Sequence, residues 1–352
     1  MVRRSSNFST VEILFVSNTG LNQITGVRFK PSCVVEFVRL GGLLLSTSHK
    51  TDVQSNVDAT LNGLFKPSST RESTVMQDTE QNLKDILAAP SYRLAELDTS
   101  FLQRRELRPI RLQLELLKPE MILSEQRINS TIVVFGGTQV VAPEEAQEGV
   151  AQAERDLEQS PGNAKFQRRL SRARSIVEKS KYYEAAREFS RLVSVACQNN
   201  DSYDYVITTG GGPGIMEAAN RGAFEAGCKS MGLNITIPEE QAPNPYITPE
   251  LCFQFHYFAL RKMHFLFRAK ALVVFPGGFG TLDELFNALT LRQTRRMQEI
   301  PIILFGEEYW SRVVDFQFLA DQGVVCDEHL NLISYVETPE QAWKAVSQFH
   351  DH

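Results

Sequence analysis

Apolar and polar positions change rhythm partway along the chain. Short apolar runs at Val11–Val16 and Leu43–Leu45 stand among polar residues with no steady period. Residues 51–80 are rich in Ser, Thr, Asp, Asn and Gln, and read as a linker or a disordered stretch. Between 81 and 125, Leu107, Ile110, Leu112, Leu114, Leu116 and Leu117 suggest helical pieces that Pro109 and Pro119 should interrupt. Nothing in this N-terminal extension, residues 1–125, assigns it a role.

From Ser130 the pattern becomes regular. Ser130–Phe135 is a β-branched run ending in Gly136-Gly137, the signature of a buried strand entering a turn. Helices are predicted at Pro143–Ser160 and Ala164–Gln198, parted by Pro161-Gly162. In the second, Phe166, Leu170, Ala173, Val177, Tyr183, Ala186, Phe189, Val193 and Ala196 line one face. That face should pack on its own domain rather than on a second copy. Strands predicted at Tyr203–Thr208, Ser230–Ile237, Ala271–Phe275 and Ile302–Phe305 then alternate with helices. The helices start at Pro213, near Tyr257, at Thr281 and at Tyr309, and a last one covers Pro339–Phe349. Such alternation implies a doubly wound, Rossmann-like α/β domain over 126–352, with a parallel sheet and a helical insertion at about 143–200. Ligands in such sheets bind beyond the carboxyl ends of the strands.

Composition narrows the field without naming a chemistry. The 352 residues are 42% hydrophobic and 22% charged, enough for a core without disulfides or metals. A net charge of −5 provides no basic field for nucleic acid or an anionic membrane. Five scattered cysteines (Cys33, Cys197, Cys228, Cys252, Cys326) suit free thiols in a reducing compartment. His256 and His264 lack the H-E-x-x-H context of a zinc site. No run approaches the ~20 apolar residues of a membrane span. The start, Met1-Val-Arg-Arg-Ser-Ser, has something of an organelle-targeting segment, but Glu12 and Glu36 follow, so a cytoplasmic protein is expected.

Two glycine-rich loops follow predicted strands: Thr208-Thr-Gly-Gly-Gly-Pro-Gly-Ile-Met-Glu217 and Pro276-Gly-Gly-Phe-Gly-Thr-Leu-Asp-Glu284. Each leads into a helix, whose free N–H groups and positive dipole end suit a phosphate. The first lacks the third glycine of G-x-G-x-x-G and the second lacks the lysine of a P-loop, so a single phosphate fits better than a dinucleotide or triphosphate. Tight turning alone would also explain glycines here. Thr281-x-x-Glu284 matches a capping box, the stronger reading on pattern alone, although the same carboxylate also lies near anything held there. Arg261-Lys262 precedes the second loop, either as solvated cations or as a clamp on phosphate or ribose. Phe253, Phe255, Phe258, Phe265 and Phe267 should be mostly core.

Pro276-Gly-Gly-Phe-Gly-Thr-Leu-Asp-Glu284 resembles the P-G-G-x-G-T-x-x-E signature of the LOG family, the cytokinin riboside 5′-monophosphate phosphoribohydrolases often described as lysine decarboxylases. Arg261-Lys262, Gly210–Met216 and Val133–Gly136 are similar to further family segments, and the resemblance covers about 128–350. It departs in the insertion at 143–200, in Gly137-Thr138 where the family has Ser-Ser, and in the extension, which compact members lack. The resemblance implies hydrolysis of the N-glycosidic bond of a nucleoside 5′-monophosphate, AMP or a cytokinin nucleotide. Glu284 would stabilise the developing ribose cation and position water, and Arg261 would anchor the substrate, helped by Lys262. Gly277, Gly278, Gly280 and Thr281 would hold the phosphate, and Gly211, Gly212 and Gly214 would close the site. Asp283 would meet the ribose hydroxyls, Thr290 is a weaker candidate, and Glu240 would meet the base. No cofactor or metal is implied, and a homodimer or larger homo-oligomer is expected. The alternatives are a regulatory nucleotide-binding protein and a pyridoxal phosphate decarboxylase. For the latter, Lys262 and Lys270 are the only lysines near the motif. A chain starting near Leu123 is expected to keep fold and activity.

Overall fold

Seven all-parallel strands in one sheet organise the larger part of this protein. The computed structural model describes residues 14–17, 20–23, 69–199, 202–238 and 242–350. Two compact units divide at 89/90. In the first lie the antiparallel hairpin β1 (Leu14–Ser17) and β2 (Gly20–Gln23), and helix α1 (Ser69–Ala88). The second opens with the short α2 (Thr99–Leu102) and with α3 (Arg108–Glu125). Next come β3 (Thr131–Phe135), α4 (Pro143–Gln159), α5 (Ala164–Cys197) and the small hairpin β4 (Gln198–Asn199) and β5 (Ser202–Tyr203). Then follow β6 (Val206–Thr209), α6 (Ile215–Glu225), β7 (Ser230–Ile235), β8 (Cys252–Phe255), α7 (Phe258–Phe267), β9 (Ala269–Val274) and α8 (Phe279–Gln293). The chain finishes with β10 (Ile302–Phe305), α9 (Glu307–Val313), α10 (Phe316–Asp321), β11 (Ile333–Val336) and α11 (Pro339–His350).

The central strands are buried on both faces, which is why they read as unbroken β-branched runs rather than alternations. On one face Val133, Phe135, Leu272, Val274, Ile302 and Leu304 pack with Leu123, Phe265, Leu285 and Trp310 from α3, α7, α8 and α9. On the other, Ile132, Val134, Ala271, Val273 and Ile303 meet Tyr183, Phe189, Ile215 and Val346 from α5, α6 and α11. The apolar face of α5 is therefore filled by its own domain. Chain order runs outward from β3 to β8 on one side, then crosses back and runs from β9 to β11 on the other. The direction reverses between β3 and β9, and a doubly wound sheet forms its ligand crevice at such a point.

Several expectations need correction. Residues 69–80, expected to be part of a linker or disordered stretch, belong to α1, whereas 51–68 lie outside the described residues. Pro109 and Pro119 do not interrupt α3: Pro109 sits in its first turn, where no N–H is needed, and Pro119 is carried inside it. Strands β8 and β11 lie at the two edges of the sheet and are not expected from the sequence because neither is an unbroken buried run: β8 alternates buried and exposed residues, and β11 is mostly exposed or half-buried. Phe253, Phe255 and Phe265 are core, but Phe258 and Phe267 are about half exposed. The compact unit begins at Pro90, so α3 is part of it.

Candidate active site

Three turns meet at the carboxyl edge of β3, β6 and β9. The Gly137 N–H donates to the Pro276 carbonyl (2.9 Å), and the Gly137 carbonyl accepts from the Ile215 N–H (3.2 Å). The turn after β3 thus ties both glycine loops together. A side chain at Gly137 would crowd this junction, where a Cβ would come 3.2 Å from the Pro276 carbonyl oxygen.

The loop after β6 is locked from behind. Gly214 has φ +73°, and a side chain there would strike the Gly137 carbonyl and Thr138. The Gly211 N–H donates to Thr209 Oγ1 (3.0 Å), so that amide is committed within the fold. The Gly211 and Gly212 carbonyls accept from the backbone N–H and the side-chain Nδ2 of Asn244 (2.8 and 3.1 Å). Behind them the fully buried Asn220 accepts from Thr209 Oγ1 (2.7 Å) and Asn244 Nδ2 (3.0 Å), and donates to Ser230 Oγ (3.0 Å) and the Met231 carbonyl (3.3 Å). Sequence reasoning missed this network. Its one signal was a polar residue, Asn220, among the small apolar residues of Ala218-Ala-Asn-Arg-Gly-Ala223.

The loop after β9 is open. A side chain at Gly278 or Gly280 would meet nothing within 4 Å, and Phe279 is 92% exposed. Gly278 is the N-cap of α8 and brings no side chain to its free N–H groups. These amides, next to the crevice, remain available to an anion. The capping box is overturned: α8 starts at Phe279 rather than Thr281, so Glu284 lies six positions past the cap and cannot fold back onto it. Thr281 is buried against Gly277. Tyr309 Oη donates to the Gly277 carbonyl (2.6 Å), a support from α9 that no motif announced.

The charged residues gather here. Arg261 donates from Nε to the Leu233 carbonyl in β7 (2.7 Å), and its guanidinium lies against Gly210, where a Cβ would sit 2.5 Å from Nη2. Burial draws its pKa below the ordinary arginine value, and Glu284 opposes the shift. Glu284 is 8% exposed. Burial pushes its carboxyl up to about 7, against the pull of Lys262 and Arg261 and with a further push from Asp283. Lys262 Nζ pairs with Asp283 (2.6 Å). Arg261, Lys262, Asp283, Glu284, Thr281 and Gly277 therefore share one site. Thr290 does not join them: it is exposed, its hydroxyl donates to the Phe286 carbonyl (2.8 Å), and it lies ~9 Å along the helix from Glu284. Glu240 lies outside the described residues. Among the described residues, no cluster of His, Cys, Asp and Glu forms a metal site, and no helix is long and apolar enough to cross a membrane.

Fold and site define a doubly wound α/β protein whose open glycine turn faces a buried acid and an arginine. A family model described as possible lysine decarboxylase matches residues 216–346, which include Arg261, Lys262 and Pro276–Glu284 and begin just after the first glycine loop. Over that segment the chain is similar to this family. Among solved structures, the molybdenum cofactor binding protein of Rippkaea orientalis is 18% identical, covering 48% of this chain and 87% of its own, with a TM-score of 0.35. The structural genomics target TM1055 is 20% identical, covering 62% and 99%, with a TM-score of 0.37. No curated protein matches the chain.

Proposed function

We propose that this protein hydrolyses the N-glycosidic bond of nucleoside 5′-monophosphates, AMP or a cytokinin riboside 5′-monophosphate, to free base and ribose 5-phosphate. One observation carries the reading: a buried carboxyl with a pKa near neutrality, Glu284, stands beside Arg261 and behind the open helix start at Gly278–Thr281. The amides of Gly278, Phe279 and Gly280 take the 5′-phosphate, and Arg261 fixes the substrate above Glu284. The C1′–N bond breaks with its electron pair on the base. Positive charge then builds on the ribose next to the Glu284 carboxylate, where burial strengthens the attraction. Water adds to C1′, and its proton passes to Glu284, whose pKa suits that task. The leaving base takes up a proton in turn. Lys262 and Asp283 hold each other at the rim and set the field around Glu284.

The family description also names a decarboxylase. A pyridoxal phosphate enzyme needs a lysine free to lose its proton and form a Schiff base. Lys262 is engaged by Asp283, 2.6 Å away, and Lys270 lies near the amino end of β9, away from the crevice. The residues present do not fit that cofactor.

A panel of nucleoside monophosphates, including AMP and isopentenyl-AMP, with free base as readout, tests the proposal. Free base is expected from at least one monophosphate and from none of the matching nucleosides. Glu284→Gln is expected to lower kcat about 10³-fold. Tight AMP binding without base release would instead make the protein a nucleotide-binding module, and an unimpaired Glu284→Gln would remove the acid from the mechanism.

A further inference from the structure

The helix that carries Arg261 and Lys262 does not hold itself in place. Its N-cap, Tyr257, makes no side-chain cap bond. A residue about 140 positions earlier supplies the anchor: Glu115 of α3 accepts from the His256 N–H through Oε1 (2.8 Å) and from the Tyr257 N–H through Oε2 (3.2 Å). Both carboxylate oxygens thus fix consecutive amides at the entry to α7, and the negative charge also suits the positive end of that helix.

The same segment grips α7 further along. Pro119 has no N–H to give to the Glu115 carbonyl four residues back, and His264 of α7 takes up that acceptor through Nε2 (3.3 Å). The proline inside α3 thereby becomes a docking point rather than a break. At the C-cap of α7, Arg268 donates from Nη2 to Glu120 Oε2 (2.8 Å) and from Nη1 to the Ile128 carbonyl (2.6 Å). Entry, body and exit of α7 are all held by residues 115–128.

Arg261 reaches from this held helix to the Leu233 carbonyl and to Gly210. A small slide or rotation of α7 would carry its guanidinium away from both. We propose that Glu115 is a positioning residue: through two backbone amides it sets where Arg261 and Lys262 stand relative to the crevice, so that α3 is working machinery of the site. The catalytic side of this inference rests on the proposed function. The geometric side does not.

The test uses the full chain and three variants. Glu115→Ala removes both acceptors, Glu115→Gln keeps one, and Val346→Ala thins the core on the opposite face of the sheet, far from α7. Expected for Glu115→Ala is a roughly tenfold rise in KM for AMP with little change in kcat, and for Glu115→Gln a rise of about threefold. Val346→Ala should lower Tm without moving KM. Amide hydrogen exchange at His256 and Tyr257 should speed up at least tenfold in Glu115→Ala and not in Val346→Ala. Should Glu115→Ala fail to fold, Glu115→Gln carries both readouts. A KM that follows Tm alike in all variants, or unchanged exchange at the two amides, overturns the proposal. A wild-type chain that cleaves no nucleoside monophosphate overturns the proposed function instead, and the exchange measurement still decides whether Glu115 holds the helix.

Discussion

The two glycine loops look alike in sequence and are held in opposite ways. Each follows a central parallel strand and leads into a helix, and each has glycines on both sides of a bulkier residue, Pro213 or Phe279. In the loop after β6 the glycines make room for protein: Gly210, Gly211 and Gly214 are buried, and the Gly211 amide is satisfied by Thr209. In the loop after β9 they make room for something else. Gly278 and Gly280 are exposed, and a Cβ on either would enter empty space. Glycine content alone does not distinguish a packed turn from an open cradle. What separates them is where the amide and carbonyl groups go.

The strongest way to break this comparison is to unlock the first loop. Asn220→Ala removes four hydrogen bonds from a fully buried cluster, leaving Thr209, Ser230 and Asn244 poorer by one partner each. The expected loss is about 3 kcal/mol in urea unfolding. Gly278→Ala in the second loop should change stability by less than about 0.5 kcal/mol, because its φ of −94° is ordinary and its surroundings are empty. Its effect should fall on substrate affinity. Equal destabilisation by the two variants would mean that both loops are structural.

A similar loss, of opposite origin, is expected from pH. Glu284 belongs to the open loop's helix, yet its carboxyl is buried and its pKa stands near 7 rather than 4.5. The folded state therefore binds the proton more tightly than the unfolded chain does. Stability from this group is fully present below about pH 4.5 and falls away as pH rises through 7, by at most about 3 kcal/mol. Glu284→Gln should thus be more stable relative to wild type at pH 8 than at pH 5. Urea midpoints at the two values check the sign, and an identical difference at both would mean that the carboxyl is not strained by burial. Loss of activity with gain of stability would mark Glu284 as a residue kept for function.

Much of this was legible in the sequence, and what was not has physical reasons. The central strands announced themselves because burial on both faces demands apolar runs such as Thr131-Ile-Val-Val-Phe135. The Arg261-Lys262 pair and Pro276–Glu284 stood out through their spacing. The start of α8 was misplaced because Thr281-x-x-Glu284 is locally a good capping box, and only the crevice beside it makes a bare Gly278 the better cap. Glu115, Asn244 and Tyr309 left no trace, since each acts on backbone atoms far away in the chain and a backbone carbonyl or amide has no letter of its own. The same holds for the contacts that join α3 to α7. A chain begun at Leu123 would discard Glu115 and Glu120, both of which hold α7.

A small paired effect is the most discriminating. Tyr309→Phe removes one hydrogen bond, from Oη to the Gly277 carbonyl, and leaves the ring to pack against Trp310 as before. The cost to folding should be about 1 kcal/mol. Gly277 precedes the open amides by one residue, so freeing its carbonyl lets that peptide plane rotate, and the next amides lose their common aim. If the second loop is an anion cradle, the variant's KM for a nucleoside 5′-monophosphate should rise by roughly fivefold, the equivalent of about 1 kcal/mol. Affinity for the corresponding nucleoside should stay level. A loop that only turns the chain would show the stability loss alone. Measuring Tyr309→Phe against both ligands therefore separates a cradle from a turn, at a residue that touches no substrate.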